Sequence, residues 1–140
     1  MWRFRIVNFK WLIEEKWVAR QRSHIKVGVL LFIIIMHDIN SKGIDVNVIF
    51  IPIILLLTII GSVLPDIIEP AKNKHHRKFF HSVLLLMIIL VFLIMTYNEL
   101  IISGNFNKPI LACYFFIGCG YISHLLVDSI TRNGLPSTGL

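Results

Sequence analysis

The sequence predicts an all-α fold: an integral membrane bundle of four transmembrane helices, preceded by an N-terminal interfacial amphipathic helix. Three observations carry this. The 140-residue chain is 56% hydrophobic and only 16% charged, with a mean hydropathy of +0.75, far from the soluble globular average. Four stretches approach the roughly 20 apolar residues that a helix needs to cross a bilayer core of about 30 Å. Those stretches lack polar alternation, which excludes ordinary strands and barrel strands despite their many β-branched residues.

The first element is the basic segment of residues 1–22. It sets Trp2, Phe4, Phe9, Trp11, Leu12 and Trp17 among cations, the composition of a helix lying on an anionic lipid surface. A soluble basic tail is the competing reading, and the tryptophans favour the interface. No small-residue cleavage site follows, so the segment does not read as a cleaved signal. Residues 23–140 then form a single four-helix transmembrane, metal-binding domain.

Span one opens near His24 with "HIKVGVLLFIIIMHDI" and is slightly short. Span two is "VNVIFIPIILLLTIIGSVLP", ending at Pro65, with Pro52 either kinking it or sitting in its first turn. Span three begins at His81 and continues "SVLLLMIILVFLIMTYNELII". Span four is "PILACYFFIGCGYISHLLVDSI" from Pro109, where Gly118 and Gly120 would let a neighbouring helix approach closely. Cys113 and Cys119 lie in that apolar run without CxxC spacing and read as small buried hydrophobes.

The net charge of +6 is unevenly spread. Seven of the 14 Lys and Arg residues precede position 27; the second loop holds Lys72, Lys74, Arg77 and Lys78; the first and third loops hold only Lys42 and Lys108. This alternation places both termini and the second loop in the cytoplasm. The basic excess therefore reads as orientation in the lipid bilayer and not as a nucleic-acid surface.

With this topology, the ionisable residues gather in one layer. His24 stands where span one begins, Asp66 and Glu69 just past the end of span two, and His76 and His81 ahead of span three. His124 and Asp128 lie near the cytoplasmic end of span four, four residues apart and so on one helical face. Aspartate at a helix centre costs about 2.5–3.5 kcal/mol on insertion scales, and less near the interface. Such residues persist when paired, hydrated or bound to metal. Imidazoles with carboxylates suit a divalent transition metal, zinc first and manganese or iron next, and seven candidate ligands suffice for one or two ions. Blander readings stand beside this one: His124 and Asp128 as a self-satisfied pair, Asp66 as a turn residue. His75 reads as a loop residue, and His37 and Asp38 belong to the opposite end of span one.

At these residues a resemblance becomes specific. The blocks "GSVLPDIIEP", "HHRKFFHS" and "GYISHLLVDSITRNGLP" resemble the signature blocks of the YdjM-like (DUF457) family, described as membrane-bound metal-dependent hydrolases. His24 matches a histidine near the start of that family's first span. Asp66 and Glu69 match its acidic block, His76 and His81 its histidine block, and His124 and Asp128 its last block. Ile68 stands where many relatives carry a second aspartate, Lys78 replaces a glycine, and Phe80 replaces a threonine. The resemblance implies a metal-dependent hydrolase with those seven residues as metal ligands. Glu69 or Asp128 is then the candidate general base, and Arg77 the candidate anchor for an anionic group of a lipid-like substrate, a phosphoester first. Two other classes stay open: a membrane scaffold with a structural metal, and a cation transporter. Transport requires polar residues spread across the depth, and spans two and three are almost uniformly apolar through their middles.

Overall fold

The computed structural model describes residues 9–69, 79–104, 106 and 108–130, with the side chains of 9–20 and 79 left undescribed. Most of these residues are helical, and none of them lies in a strand. Helix α1 spans Phe9–Ser41, α2 Ile51–Ile68, α3 Val83–Tyr97 and α4 Pro109–Ile130. A short 3₁₀ turn, Phe79–His81, leads into α3, and a π-helical turn, Asn98–Ile102, extends it. Four segments are long and apolar enough to cross a membrane: Gln21–Ser41, Ile51–Ile68, Val83–Ile102 and Pro109–Ile130.

Helix α1 has 33 residues, about 50 Å at 1.5 Å per residue, well beyond a bilayer core. It runs unbroken across the boundary expected near residue 22, so span one continues a longer helix. Residues 1–8 lie outside the described residues.

Span two starts later and ends later than its hydrophobic run. At its start, the Asn47 side chain accepts the Ile49 N–H at 3.0 Å and the Asn47 carbonyl accepts the Phe50 N–H at 2.8 Å. This Asx turn competes successfully with helix over 46–50. Pro52 then sits in the first turn, where its missing N–H costs nothing. At its end, Pro65 lies inside α2 instead of terminating it. Asp66 is therefore helical and buried, and Glu69 forms the C-cap, its N–H donating to the Pro65 carbonyl at 2.9 Å. The expectation that both residues lie past the helix is corrected for Asp66.

Helix α3 starts where Ser82 caps it, the hydroxyl accepting the Leu85 N–H at 3.2 Å. Helix α4 is the central element. It packs most extensively on α2, then on α1 and α3, and buries Ala112, Phe115, Phe116, Cys119, Ile122 and Leu125. Both cysteines are free, Cys119 buried and Cys113 half-buried.

Lipid tails are as apolar as leucine, so close backbone approach, not apolar burial, holds such helices together. The crossing of α2 and α4 shows this. A Cβ on Gly120 would overlap the Thr58 carbonyl, and one on Gly61 would overlap the Ile117 carbonyl. Helix α1 joins at Gly28, where a Cβ would stand 3.1 Å from Ser62 Cβ and 3.3 Å from Ser123 Oγ. The buried hydroxyls satisfy themselves on their own helices: Thr58 donates to the Ile54 carbonyl at 2.8 Å, Ser62 to Ile59 at 2.7 Å and Ser123 to Gly120 at 2.6 Å. Of the two glycines expected to permit close approach, Gly120 does so against backbone, whereas Gly118 faces the side chains of Leu93 and Ile89.

At the far end of the bundle, Tyr97 donates to Asp38 Oδ2 at 2.7 Å, and Lys42 Nζ lies 2.5 Å from both Asp38 Oδ2 and the Tyr97 hydroxyl. The Asp38 carboxylate, then the Tyr97 hydroxyl, raise the Lys42 ammonium above the ordinary lysine value. This polar clasp ties the end of α1 to the end of α3.

Candidate metal centre

Three of the candidate ligands sit one helical turn from a tight small-residue contact. His24 follows Gly28 by one turn towards the cluster end of α1, Asp66 follows Ser62 on α2, and His124 follows Gly120 on α4. The contacts that bring the three backbones together therefore aim those three side chains at one point. Asp128 lies a further turn along the same α4 face. His81 arrives from the 3₁₀ turn, held by the Tyr121 hydroxyl, which donates to the Phe80 carbonyl at 2.9 Å.

All five groups are nearly inaccessible: His24 and His81 are 1% exposed, Asp66 4%, His124 0% and Asp128 2%. Their donor atoms form a closed ring. His81 Nε2 is 3.5 Å from Asp66 Oδ1 and 3.8 Å from Asp128 Oδ2, and His124 Nε2 is 3.7 Å and 3.6 Å from the same two oxygens. These separations are too long for hydrogen bonds. They lie close to the edge of a tetrahedron, about 3.3–3.6 Å for metal bonds of roughly 2.0–2.2 Å. The ring thus holds two imidazole and two carboxylate donors whose neighbours stand at, or 0.1–0.2 Å beyond, the separations between ligands of one ion.

The hydrogen bonds around the ring point the same way. His124 Nδ1 lies 2.8 Å from the Ser62 carbonyl, which only accepts. Nδ1 therefore donates, and Nε2 is the ring nitrogen left facing the cluster. His81 repeats the pattern, with Nδ1 3.2 Å from Glu69 Oε2. The Nε2 atoms of His81 and His124 and the Oδ2 of Asp66 are buried without a hydrogen bond. Buried polar atoms left so are costly. Imidazole nitrogens and carboxylate oxygens facing one another without a hydrogen bond between them suit a cation as their complement.

His24 stacks on His124 with ring centroids 3.8 Å apart, and its Nε2 lies 3.7 Å from Asp128 Oδ1. Two overlapping triads emerge as groups able to hold an ion, His24 with Asp66 and His124, and His81 with His124 and Asp128. A simple His124–Asp128 pair does not describe the site: the two atoms are 3.6 Å apart, but His124 Nε2 is also 3.7 Å from Asp66 Oδ1, and Asp128 Oδ2 is 3.8 Å from His81 Nε2. A turn role for Asp66 is likewise set aside by its burial within α2.

Of the expected site residues, the structure brings together His24, Asp66, Glu69, His81, His124 and Asp128 at one end of the bundle. His76 and Arg77 lie outside the described residues. Sequence reasoning missed the Ser62 carbonyl and Tyr121. Ser62 carried a signal, four residues before Asp66 and so on its face. Tyr121 carried none, since its partner is a backbone oxygen 41 residues away.

These features define a class: a helical, membrane-integral protein whose four spans converge on a buried histidine–carboxylate cluster. The chain belongs to the YdjM inner membrane protein family, whose model matches residues 20–138. No curated protein and no solved structure matches it. The family match covers every residue of the cluster.

Proposed function

We propose that this protein is a metal-dependent hydrolase with its site at the cytoplasmic membrane surface, acting on a phosphoester or another amphiphilic substrate. The observation that carries the proposal is the buried ring of Asp66, His124, Asp128 and His81 donors, with neighbours 3.5–3.8 Å apart. Those four residues, with His24 beside them, would hold the ion. Two aspartates balance the charge of one divalent cation, which makes the cluster tolerable at this depth. Zinc, manganese or iron suits the donor set. Such an ion, when bound, lowers the pKa of a coordinated water and polarises a phosphoryl or carbonyl oxygen.

The chain's own residues set the rest. The Ser62 carbonyl and Glu69 hold two imidazoles with Nε2 inward. The α2–α4 crossing keeps the carboxylates in register and shields the cluster from water. Arg77, four residues before His81, is proposed to hold an anionic group of the substrate. Cytoplasmic placement rests on the basic second loop and N-terminal segment.

One observation favours a second reading. Ligands no more than 4% exposed, with four protein donors available, suit a structural ion that locks the bundle, since catalytic sites keep an open position. Elemental analysis of detergent-purified protein tests the common part. Stoichiometric transition metal is expected, lost in His81→Ala and His124→Ala while both variants still insert. Unchanged metal content in those variants removes the proposal. An exchangeable water on the bound ion then separates hydrolase from scaffold.

A further inference from the structure

The most informative residue outside the ring is Glu69. The sequence offers it as a ligand and as a general base. It is less buried than the ring residues, with 15% of its side chain exposed against 5% or less for Asp66, His81 and Asp128. Its Oε2 stands 3.2 Å from Nδ1 of His81, on the opposite edge of the imidazole from the Nε2 that faces Asp66 and Asp128. An imidazole has one lone pair to give when its other nitrogen is protonated. If Nε2 faces an ion, Nδ1 carries the proton, and Glu69 accepts it.

The ring is complete without Glu69. Asp66, His124, Asp128 and His81 supply four edges of 3.5–3.8 Å. The two candidate triads share His124, whose Nδ1 is committed to the Ser62 carbonyl. Both triads thus draw on one nitrogen, which can serve one ion. His81 and His124 are held alike, each with an acceptor behind it: a backbone carbonyl for one, a carboxylate for the other.

We propose that the centre takes a single ion and that Glu69 is a positioning residue, orienting His81 and raising its basicity from outside the coordination sphere. The inference rests on the metal-centre reading above. Carboxylates behind a ligating histidine are a general device, and their loss typically costs about 10–100-fold in metal affinity. The carboxylate also fits its place in the fold. The C-cap of α2 and the 3₁₀ turn before α3 are separate elements, and Glu69 joins them directly behind the ligand that the turn presents.

The test uses the full chain in detergent, stripped of metal and reloaded with cobalt(II). Wild type is expected to bind one cobalt per chain with the intense visible bands of a tetrahedral site. Glu69→Gln keeps the size and an acceptor oxygen. It should retain stoichiometry and band positions with less than about tenfold loss of affinity, and Glu69→Ala should lose about 10–100-fold with bands still in place. Asp66→Asn, a ligand control, should shift or abolish the bands. Bands in Glu69→Gln that move as they do in Asp66→Asn would make Glu69 a ligand and overturn the proposal. So would wild-type affinity in Glu69→Ala, or two cobalt ions per wild-type chain. Wild type without bound cobalt overturns the metal-centre reading itself, and is seen before any variant is compared.

Discussion

The packing argument makes its sharpest demand at Gly120, which touches no donor atom of the cluster. In Gly120→Ala, the new Cβ would stand 2.8 Å from Ser62 N and 2.9 Å from Thr58 C, and closer still to the Thr58 carbonyl oxygen, whereas ordinary contact begins at 3.4 Å. Every atom in the way is backbone, so α2 and α4 must separate, by at least about 0.6 Å at Ser62 alone. The same crossing carries the bond from His124 Nδ1 to the Ser62 carbonyl, 2.8 Å long. Stretched by that amount it reaches about 3.4 Å, beyond the normal range. Overpacking of this kind costs about 1–3 kcal/mol, partly offset by roughly 1 kcal/mol of better helix propensity for alanine. What remains, with the loosened His124, should weaken metal binding about tenfold or more, at 1.4 kcal/mol per decade. The assay is competition for zinc against a chromophoric chelator on detergent-purified protein, with thermal unfolding alongside. Gly118→Ala is the control, since its Cβ is crowded only by the far end of the Leu93 side chain at 2.8 Å, which can swing aside, and meets Ile89 at an ordinary 3.8 Å. Wild-type zinc affinity in Gly120→Ala, or equal damage from both substitutions, would refute the claim that this crossing aims the ligands.

Two further outcomes follow from the same geometry. Chelation should lower the melting temperature of wild type but leave His124→Ala unmoved, because metal present at 100 times Kd stabilises the folded state by about 2.7 kcal/mol; equal shifts in both would separate the ion from the cluster. Tyr97→Phe removes the hydroxyl that bridges Asp38 and Lys42 at the far end. The pair it bridges is solvent-facing, so the loss should stay within about 2 °C of melting temperature, with zinc affinity unchanged; a fall in affinity would mean the two ends are coupled.

Much of this molecule is written in residue types, and the remainder is written in distances. Spans three and four are visible as apolar runs because a bilayer imposes length on composition. The metal candidates are visible because imidazole and carboxylate are too costly at that depth to be idle. The errors at span two come from local backbone chemistry that hydropathy does not register. An Asx turn at Asn47 delays the helix, and a proline that removes one hydrogen bond fails to end a helix already packed on both sides. Gly61 and Gly28 escaped notice because small residues in an apolar run mark no particular partner until the crossing is known.

The division of labour at the cluster escaped for a deeper reason. Sequence sees Asp66 and Glu69 as two carboxylates three residues apart, equal as ligands. The fold makes them unequal: Asp66 Oδ1 lies 3.5 Å from Nε2 of His81, and Glu69 Oε2 lies 3.2 Å from Nδ1 of the same ring. One imidazole therefore sorts the two acids, and its orientation comes from a 3₁₀ turn pinned by Tyr121 on another helix. A metal-binding motif states which atoms are available. Which of them would face an ion is decided by hydrogen bonds that side-chain types do not specify, such as the one to the Ser62 backbone carbonyl, whose chemistry every residue shares and whose importance lies in its position.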